Sequence, residues 1–170
     1  MKLERLLVDL KGRCRSRKRE FEVVVAELKK MKPREAEDLL TELDEKIFSQ
    51  IDCLECGNCC RALGPRLIDR DLRSLGAELG LKPGSFRKSY VVLDEDGDMV
   101  FSKMPCPFLE DDNKCAVYEG RPKACAEYPH TSGRQVQGRL GLLMKNAETC
   151  PAVFLMLDEL RKKGFDHFIQ

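Results

Sequence analysis

The sequence predicts an α+β fold that is mainly helical, with one small β-hairpin and irregular cysteine-rich loops. Apolar residues recur at helical spacing through the first 50 residues and again after residue 150. Two short apolar runs flank an acidic turn that contains glycine, which is typical of a hairpin. Between residues 104 and 129 the periodicity is lost, while cysteine, proline and aromatic residues accumulate. Such a segment indicates loops that wrap around a shared centre.

The first 50 residues are predicted to form a helical hairpin, and residues 51–170 a separate cysteine-rich domain. One apolar stripe begins at Leu3 and a second at Ala36, with Lys32 and Pro33 between them. Proline is well suited to the first position of a helix, because its missing N–H would have no partner there. Two roles are open for this hairpin: packing within the chain, or oligomerisation by docking on another subunit.

Capping and turn residues predict the elements that follow the first cysteines. Asp69 is expected to cap a helix that Gly80 ends in left-handed conformation. Pro83 and Gly84 predict a turn. The acidic residues 94–98 lack the spaced ligands and the distal glutamate of an EF-hand, so they are interpreted as a hairpin turn rather than a calcium loop.

Charge and hydropathy limit the partners that the chain can have. The 30 basic and 29 acidic residues nearly cancel, so no global field attracts nucleic acid. The run from Lys11 to Arg19 is basic without an acidic residue, but it lacks interleaved aromatic residues, so a solvated helix face is favoured over nucleic-acid binding. Neither a signal peptide nor a membrane span is predicted, and the expected location is therefore the cytoplasm.

Eight of the nine cysteines lie between residues 53 and 150, and four of them fall within eight residues. In a reducing cytoplasm, closely spaced cysteines bind metal or perform redox chemistry more often than they form disulfides, which remain an alternative. Cys14 stands outside this group and is expected to be a small buried apolar residue. The eight predicted metal ligands are Cys53, Cys56, Cys59, Cys60, Cys106, Cys115, Cys125 and Cys150.

The spacing of the first thiols predicts the kind of metal centre. Cys-x2-Cys-x2-Cys over residues 53–59 repeats the first three ligands of the bacterial ferredoxin run. One zinc ion takes four ligands and would leave four thiols unexplained, so one or two [4Fe–4S] clusters are predicted, with structural zinc as the alternative. Extended backbone would point the adjacent Cys59 and Cys60 to opposite sides, and therefore towards different metals or different irons.

The position of Cys150 and three further residues are also considered for this centre. Cys150 is predicted to lie at the N-terminus of the last helix, which ends at Gly164. This N-terminal position favours the thiolate form of Cys150. Arg121 can donate hydrogen bonds to a carbonyl or to cluster sulfide and so tune a cofactor; packing is its other open role. His130 is a weaker candidate as ligand or proton relay, and His167 is expected to be exposed.

These motifs resemble the YkgJ-type cysteine cluster family, also called the CxxCxxCC zinc- or iron-chelating domain. The matching segments are Cys-x2-Cys-Gly-x-Cys-Cys at 53–60, Cys-Pro-Phe-Leu at 106–109, Cys-x2-Tyr-Glu-x-Arg-Pro-x2-Cys at 115–125, and Cys150. All eight cysteines of the family pattern are present. The family's usual arginine after the third downstream cysteine is Ala126 here, and its usual phenylalanine before proline is Tyr128. The first change removes a positive charge near the site; the second keeps an aromatic ring.

The resemblance implies metal binding more firmly than it implies an activity. Members are described as metal-binding, zinc- or iron-chelating, or Fe–S oxidoreductases. The resemblance therefore implies a redox or electron-transfer role with a protein redox partner. The alternative is a structural zinc module that mediates protein interaction. Enzymatic activity is left open, because no nucleophile, base and orienting residue can be grouped. The similar cysteine array of flagellin lysine methylases suggests methylation, but no glycine-rich cofactor loop supports it.

Overall fold

The computed structural model describes residues 3–164, and they form two compact units. The first unit contains residues 3–52 and 129–164, and the second contains residues 53–128. The sequence predicts one boundary, after residue 50; in the structure residues 129–164 group with the N-terminal helices. The predicted fold, mainly helical with one small antiparallel hairpin, is confirmed.

The elements follow one another along the chain as short helices, with one hairpin in the middle. In order they are α1 (Leu3–Leu7), α2 (Leu10–Ser16), α3 (Lys18–Lys30), α4 (Pro33–Phe48), α5 (Cys53–Cys56), α6 (Asn58–Ala62), α7 (Asp69–Glu78), α8 (Pro83–Tyr90), β1 (Val91–Leu93), β2 (Met99–Phe101), α9 (Lys123–Glu127), a 3₁₀ turn (Val136–Arg139), α10 (Leu140–Ala147) and α11 (Pro151–Lys163).

The N-terminal arm of the predicted hairpin is divided into three helices rather than one. Asp9 has a φ of 109°, outside the helical region, and its carboxylate accepts a hydrogen bond from the Gly12 N–H at 3.2 Å. Aspartate competes with the helical backbone in this way, which explains the break between α1 and α2. The second arm begins at Pro33 as predicted.

Helix α11 is the centre of the first unit and packs against α1 to α4 and α10. Eight of its thirteen residues are buried. Phe154 meets Phe21 of α3 edge to face, with ring centroids 5.5 Å apart. Cys14 is 2% exposed, which confirms its predicted apolar role, and burial raises the pKa of its thiol. The apolar stripes of α3 and α4 are thus used in packing within the unit, and oligomerisation through them stays a prediction.

One buried carboxylate in α11 collects positive charges from its own helix and from the connection between α2 and α3. Asp158 is 5% exposed and accepts hydrogen bonds from Arg161 at 2.9 and 3.0 Å. Lys162 and Arg17 lie 2.7 Å and 3.5 Å from its oxygens. Burial alone would raise the pKa of Asp158, but the hydrogen bonds from Lys162 and Arg161 and the charge of Arg17 outweigh it and lower the pKa. Arg17, which also lies over the Phe154 ring, is therefore not part of a purely solvated basic face.

Replacing Asp158 with asparagine is expected to lower the unfolding free energy of the first unit by about 2 kcal/mol at neutral pH, because its charged partners lose their acceptor. The folded pKa lies below the ordinary 3.8, so the stabilisation is present above that value and disappears as the pH falls through the folded pKa. Denaturant titrations between pH 7 and 2 measure the difference. Glu22→Gln removes the exposed Lys18–Glu22 pair, 3.9 Å apart, and is expected to change stability by under about 0.5 kcal/mol. A gap between Asp158→Asn and wild type that stays constant to pH 2 would contradict the assignment.

The second unit has a small core beside its hairpin. Strands β1 and β2 pair antiparallel, with Val91 opposite Phe101. The buried core residues are Leu67, Leu72, Leu75, Phe86, Phe101, Phe108 and Val117. The acidic turn is a turn as predicted: the Asp94 carboxylate accepts from the N–H groups of Asp96 and Asp98, and Gly97 has a φ of 80°.

The helix predicted to start at Asp69 is present as α7, but its capping residue is different. The Asp71 carboxylate accepts a hydrogen bond from the Ile68 N–H at 2.9 Å, so the third helical residue reaches back to satisfy the first turn. Gly80 is left-handed, with a φ of 67°, as predicted. The expected turn at Pro83 is the start of helix α8 instead, because proline fits the first helical position.

Within residues 3–164, no single helix has both the length and the apolar character to cross a membrane. One bent pair, Val136–Ala147 with Pro151–Lys163, meets these criteria by length and composition only.

Candidate metal centre

The four-thiol stretch folds as two short helices joined by a glycine. Helix α5 carries Cys53 and Cys56, and α6 carries Cys59 and Cys60. Gly57 between them has a φ of 55°, in the left-handed region that glycine adopts without steric cost. This tight connection brings all four cysteines onto two adjacent helical turns.

The expectation of extended backbone at Cys59 and Cys60 is wrong, because both residues lie in α6. Their sulfur atoms are 4.0 Å apart and both side chains are partly buried. Two thiolates on one tetrahedral zinc, with Zn–S bonds of about 2.3 Å, would be about 3.8 Å apart. The two sulfur atoms therefore lie close together, at nearly the spacing of two thiolates on one ion, rather than pointing to opposite sides.

Three later cysteines reach the same part of the second unit from different segments. The Cys106 N–H donates to the Cys60 carbonyl at 2.8 Å. Cys115 pairs with Leu109 in an isolated β-bridge, and both Cys106 and Cys115 pack against the hydrophobic core of the unit. Cys125 lies in α9. The core thus holds two of the cysteine-bearing segments in place.

Cys60 is electrostatically linked to five other thiols. A hydrogen bond with Cys59 lowers its pKa, burial opposes this, and the Arg61 charge assists, so that the pKa falls from 9.0 to about 7. Its own charge in turn raises the pKa values of Cys56, Cys106, Cys115 and Cys125. One thiolate is therefore readily formed, and further ones are opposed.

The remaining thiols of this group hold their protons more tightly than usual. Burial is the largest cause for Cys56, Cys106 and Cys115, and it raises the pKa of each. Cys125 keeps some solvent exposure, but the protein around its thiol and the neighbouring thiolates raise its pKa to about 12. Several thiolates together would be stable only beside a cation, and metal binding releases such protons.

The donor set therefore fits a thiolate-bound metal, although the sulfur atoms do not surround a common coordination position. Across residues 3–164, no group of three or more His, Cys, Asp or Glu side chains is arranged to hold a metal ion. Metal ligation and local folding are coupled in small thiolate sites, so the final sulfur positions depend on the bound metal.

The other two predicted ligands, Cys53 and Cys150, lie at the starts of helices. Cys53 is exposed and begins α5, one helical turn before Gly57, whose N–H donates to the Cys53 carbonyl at 3.0 Å. Cys150 is buried in the first unit and forms the N-cap of α11, which is its predicted position in sequence.

Arg121 and His130 have local partners. The Arg121 guanidinium donates to the Tyr118 carbonyl at 2.8 Å and lies over the Tyr118 ring at 3.8 Å, and its charge opposes the raised pKa of Cys115. His130 has a φ of 64°, and its Nδ1 lies 3.5 Å from Arg139. His167 lies outside the described residues.

Sequence reasoning missed Asp71, a buried carboxylate that positions the Cys125 helix. Besides Ile68, it accepts a hydrogen bond from the Lys123 N–H at 3.0 Å, at the start of α9. Asp71 is 5% exposed, and a buried carboxylate with two backbone donors is a strong local constraint. A signal was available, since an acidic residue three positions after the N-cap residue, here Ile68, is typical of the reciprocal capping of a helix start.

Asp71→Ala is expected to loosen the Cys125 segment. Losing an acceptor shared by two partly buried N–H groups costs about 2 kcal/mol, so exchange of the Ile68 and Lys123 amides should accelerate by about 30-fold. Hydrogen exchange followed by mass spectrometry measures this. The matched control is Asp69→Ala, an exposed residue two positions earlier, which should leave the Lys123 amide protected. Equal exchange in both variants would contradict the role of Asp71.

Comparison with known proteins yields one match. The family model described as "CxxCxxCC: Putative zinc- or iron-chelating domain" matches residues 52–151, more than half of the chain. No curated protein sequence and no solved structure matches the chain. The matched range contains all eight cysteines of the 53–150 group. The protein therefore belongs to the CxxCxxCC family of zinc- or iron-chelating domains.

Proposed function

We propose that the protein carries an iron–sulfur cluster on the cysteines of residues 53–128 and exchanges electrons with a protein redox partner. The observation that supports this most is the link between Cys60 and five other thiols, which are Cys56, Cys59, Cys106, Cys115 and Cys125.

The number and chemistry of these donors favour iron–sulfur over a single closed zinc site. All six linked donors are thiols, the ligand type of iron–sulfur clusters, and six exceed the four that one structural zinc ion uses. Four of them would suffice for one [4Fe–4S] cluster, and the others would contribute to a second one or support the first. Such a cluster supplies one-electron transfer when bound. The chain's own contribution is to hold thiols from separate segments together and to bury several of them. A [4Fe–4S] cluster, or two, is the form proposed, and participation of Cys150 stays a prediction.

Structural zinc is the second candidate, and a specific distance favours it. The 4.0 Å between the Cys59 and Cys60 sulfurs is close to the spacing of two thiolates on one tetrahedral ion. In a [4Fe–4S] cluster each of the four cysteines binds its own iron, so adjacent ligands on one ion are not expected. Under this hypothesis the metal stabilises the loops, and the protein acts through its surface.

Anaerobic expression and purification, followed by measurement of iron, sulfide and zinc per chain, separate the two candidates. Iron with matching acid-labile sulfide, and an electron paramagnetic resonance signal that appears on reduction, are expected for the cluster. A colourless protein with stoichiometric zinc and no sulfide would overturn the iron–sulfur proposal and favour the zinc module. A preparation that binds neither metal after reconstitution would contradict both.

A further inference from the structure

Two cysteine-bearing segments of the second unit, residues 53–60 and 106–115, are joined directly by the backbone. The Cys106 N–H donates to the Cys60 carbonyl at 2.8 Å. A single backbone hydrogen bond leaves the two segments free to rotate about it. A second attachment is needed to fix the distance between the thiols of α5 and α6 and the thiol of Cys115.

The side chains of Arg61 and Asn113 supply that second attachment. The Asn113 Nδ2 donates to the Glu55 carbonyl at 2.7 Å. The Arg61 guanidinium donates to the Asn113 Oδ1, and its other terminal nitrogen lies 3.4 Å from the Cys56 carbonyl. Asn113 therefore spans the carbonyl of one segment and the arginine that follows Cys60. Together the two side chains close a ring of hydrogen bonds around the α5–α6 connection.

Gly57 lies under this ring and has no room for a side chain. A Cβ atom there would stand 2.6 Å from the Arg61 Nη1, 3.2 Å from the Asn113 Cβ and 3.3 Å from the Leu109 Cδ1. The glycine in Cys-x2-Cys-Gly is thus explained by two constraints, its left-handed backbone and the arginine and asparagine packed on it.

The position of Asn113 is coupled to that of Cys115 by a short turn. The Asn113 N–H donates to the Glu110 carbonyl at 3.0 Å, and the Glu110 N–H donates to the Lys114 carbonyl at 2.9 Å. Leu109 and Cys115 pair at the base of this turn. Asn113 itself has a φ of 71°, a conformation that asparagine tolerates better than most residues. Displacing Asn113 would therefore shift Cys115.

We propose that Arg61 and Asn113 are positioning residues that clamp the 53–60 segment against the 106–115 segment, and so set the sulfur spacing of the metal centre. The inference rests on the proposed function only in taking these thiols as ligands of the bound metal. The planar fork of arginine is what lets one side chain donate to both Asn113 and the Cys56 carbonyl. Lysine would keep the charge and lose the fork.

The test measures how fast the metal-loaded, full-length protein releases its metal to an excess of pyridylazoresorcinol, a coloured chelator of zinc and ferrous iron. Arg61→Gln, Arg61→Lys and Asn113→Gly are each expected to release metal about tenfold faster than wild type, as is typical when partners of metal ligands are lost. Glycine at 113 keeps the left-handed backbone accessible, so that only the side-chain contacts are removed. The double variant Arg61→Gln/Asn113→Gly should release metal no faster than the faster single variant, because both singles break one network.

The control is Arg66→Gln, which removes an arginine of the same unit that pairs with Asp98 at 2.9 Å, away from the ring of hydrogen bonds. It should release metal at the wild-type rate. Wild-type release by Arg61→Lys would show that charge alone matters and would overturn the clamp, as would multiplicative effects in the double variant. Failure of the proposed function shows earlier and differently, in the metal content of the wild-type protein. Zinc without iron and sulfide would overturn the iron–sulfur proposal but leave the clamp testable, whereas wild-type protein that binds no metal would remove the premise of both.

Discussion

Replacing Cys60 with alanine is expected to remove most of the protein's bound metal. The Cys60 sulfur lies 4.0 Å from the Cys59 sulfur, and the Cys60 carbonyl accepts a hydrogen bond from the Cys106 N–H. Cys60 therefore offers a sulfur ligand and also connects two segments of the cysteine group. Loss of groups that only support metal ligands costs roughly 10 to 100-fold in affinity, and loss of a ligand should cost at least as much. Elemental analysis of anaerobically purified protein at limiting metal measures the fall.

Cys14→Ala is the matched control, because it removes a buried thiol from the first unit. It should leave metal content unchanged and lower stability by roughly 1 kcal/mol, the cost of a small cavity. Comparing Cys59→Ala with Cys60→Ala tests whether the pair serves one centre: each variant should lose most of the bound metal. If each variant kept about half of the metal, the pair would serve two centres. Full metal retention in Cys60→Ala would remove it from the site.

The helical parts of the fold were predictable because their signals are local. The stripes of α3, α4 and α11, the proline starts of α4 and α11 and the glycine end at Gly164 all follow from spacing and capping chemistry within a few residues. The break at Asp9 was not foreseen, because apolar spacing continues across it, and the break at Arg17 falls in the basic run, which has no proline to mark a helix end. The grouping of residues 129–164 with the N-terminal helices depends on contacts between residues far apart in the chain, such as Gln135 with Glu37 at a separation of 98 positions, which periodicity does not encode.

For the candidate site, sequence supplied the donors but not their arrangement. The spacing of the cysteines identified the candidate metal ligands, and the family match supports metal chelation. The extended-backbone interpretation of Cys59 and Cys60 failed because Gly57 allows a new helical turn to begin directly after α5. Arg61 and Asn113 have no motif of their own at this spacing, and their contact joins residues more than fifty positions apart. The capping position of Asp71 was visible in the sequence, but its link to Lys123 spans a similar distance along the chain.

Metal removal is expected to unfold residues 53–128 while the first unit keeps its structure. The second unit has a small set of fully buried core residues, and several of its segments are irregular loops, so little apolar burial opposes chain entropy there. Structural thiolate sites supply about 10 to 16 kcal/mol of apparent binding free energy, which is more than the whole stability of many domains. The first unit has its own core around α11, and its stability should not depend on the metal.

Hydrogen exchange by peptide fragments, before and after anaerobic treatment with a chelator, distinguishes the two units. Amides of α7, β1 and β2 should lose protection by at least about 100-fold, since a loss of 2.7 kcal/mol corresponds to that factor. Amides in the middle of α11 should be unchanged. Adding back the metal should restore protection, which separates ligand loss from irreversible thiol oxidation. Preserved protection in β1 and β2 without metal would mean that the aromatic cluster of Phe86, Phe101 and Phe108 is sufficient to hold the unit. The metal centre would then be carried by a folded scaffold rather than create it, and a functional role for the metal would be favoured over a structural one.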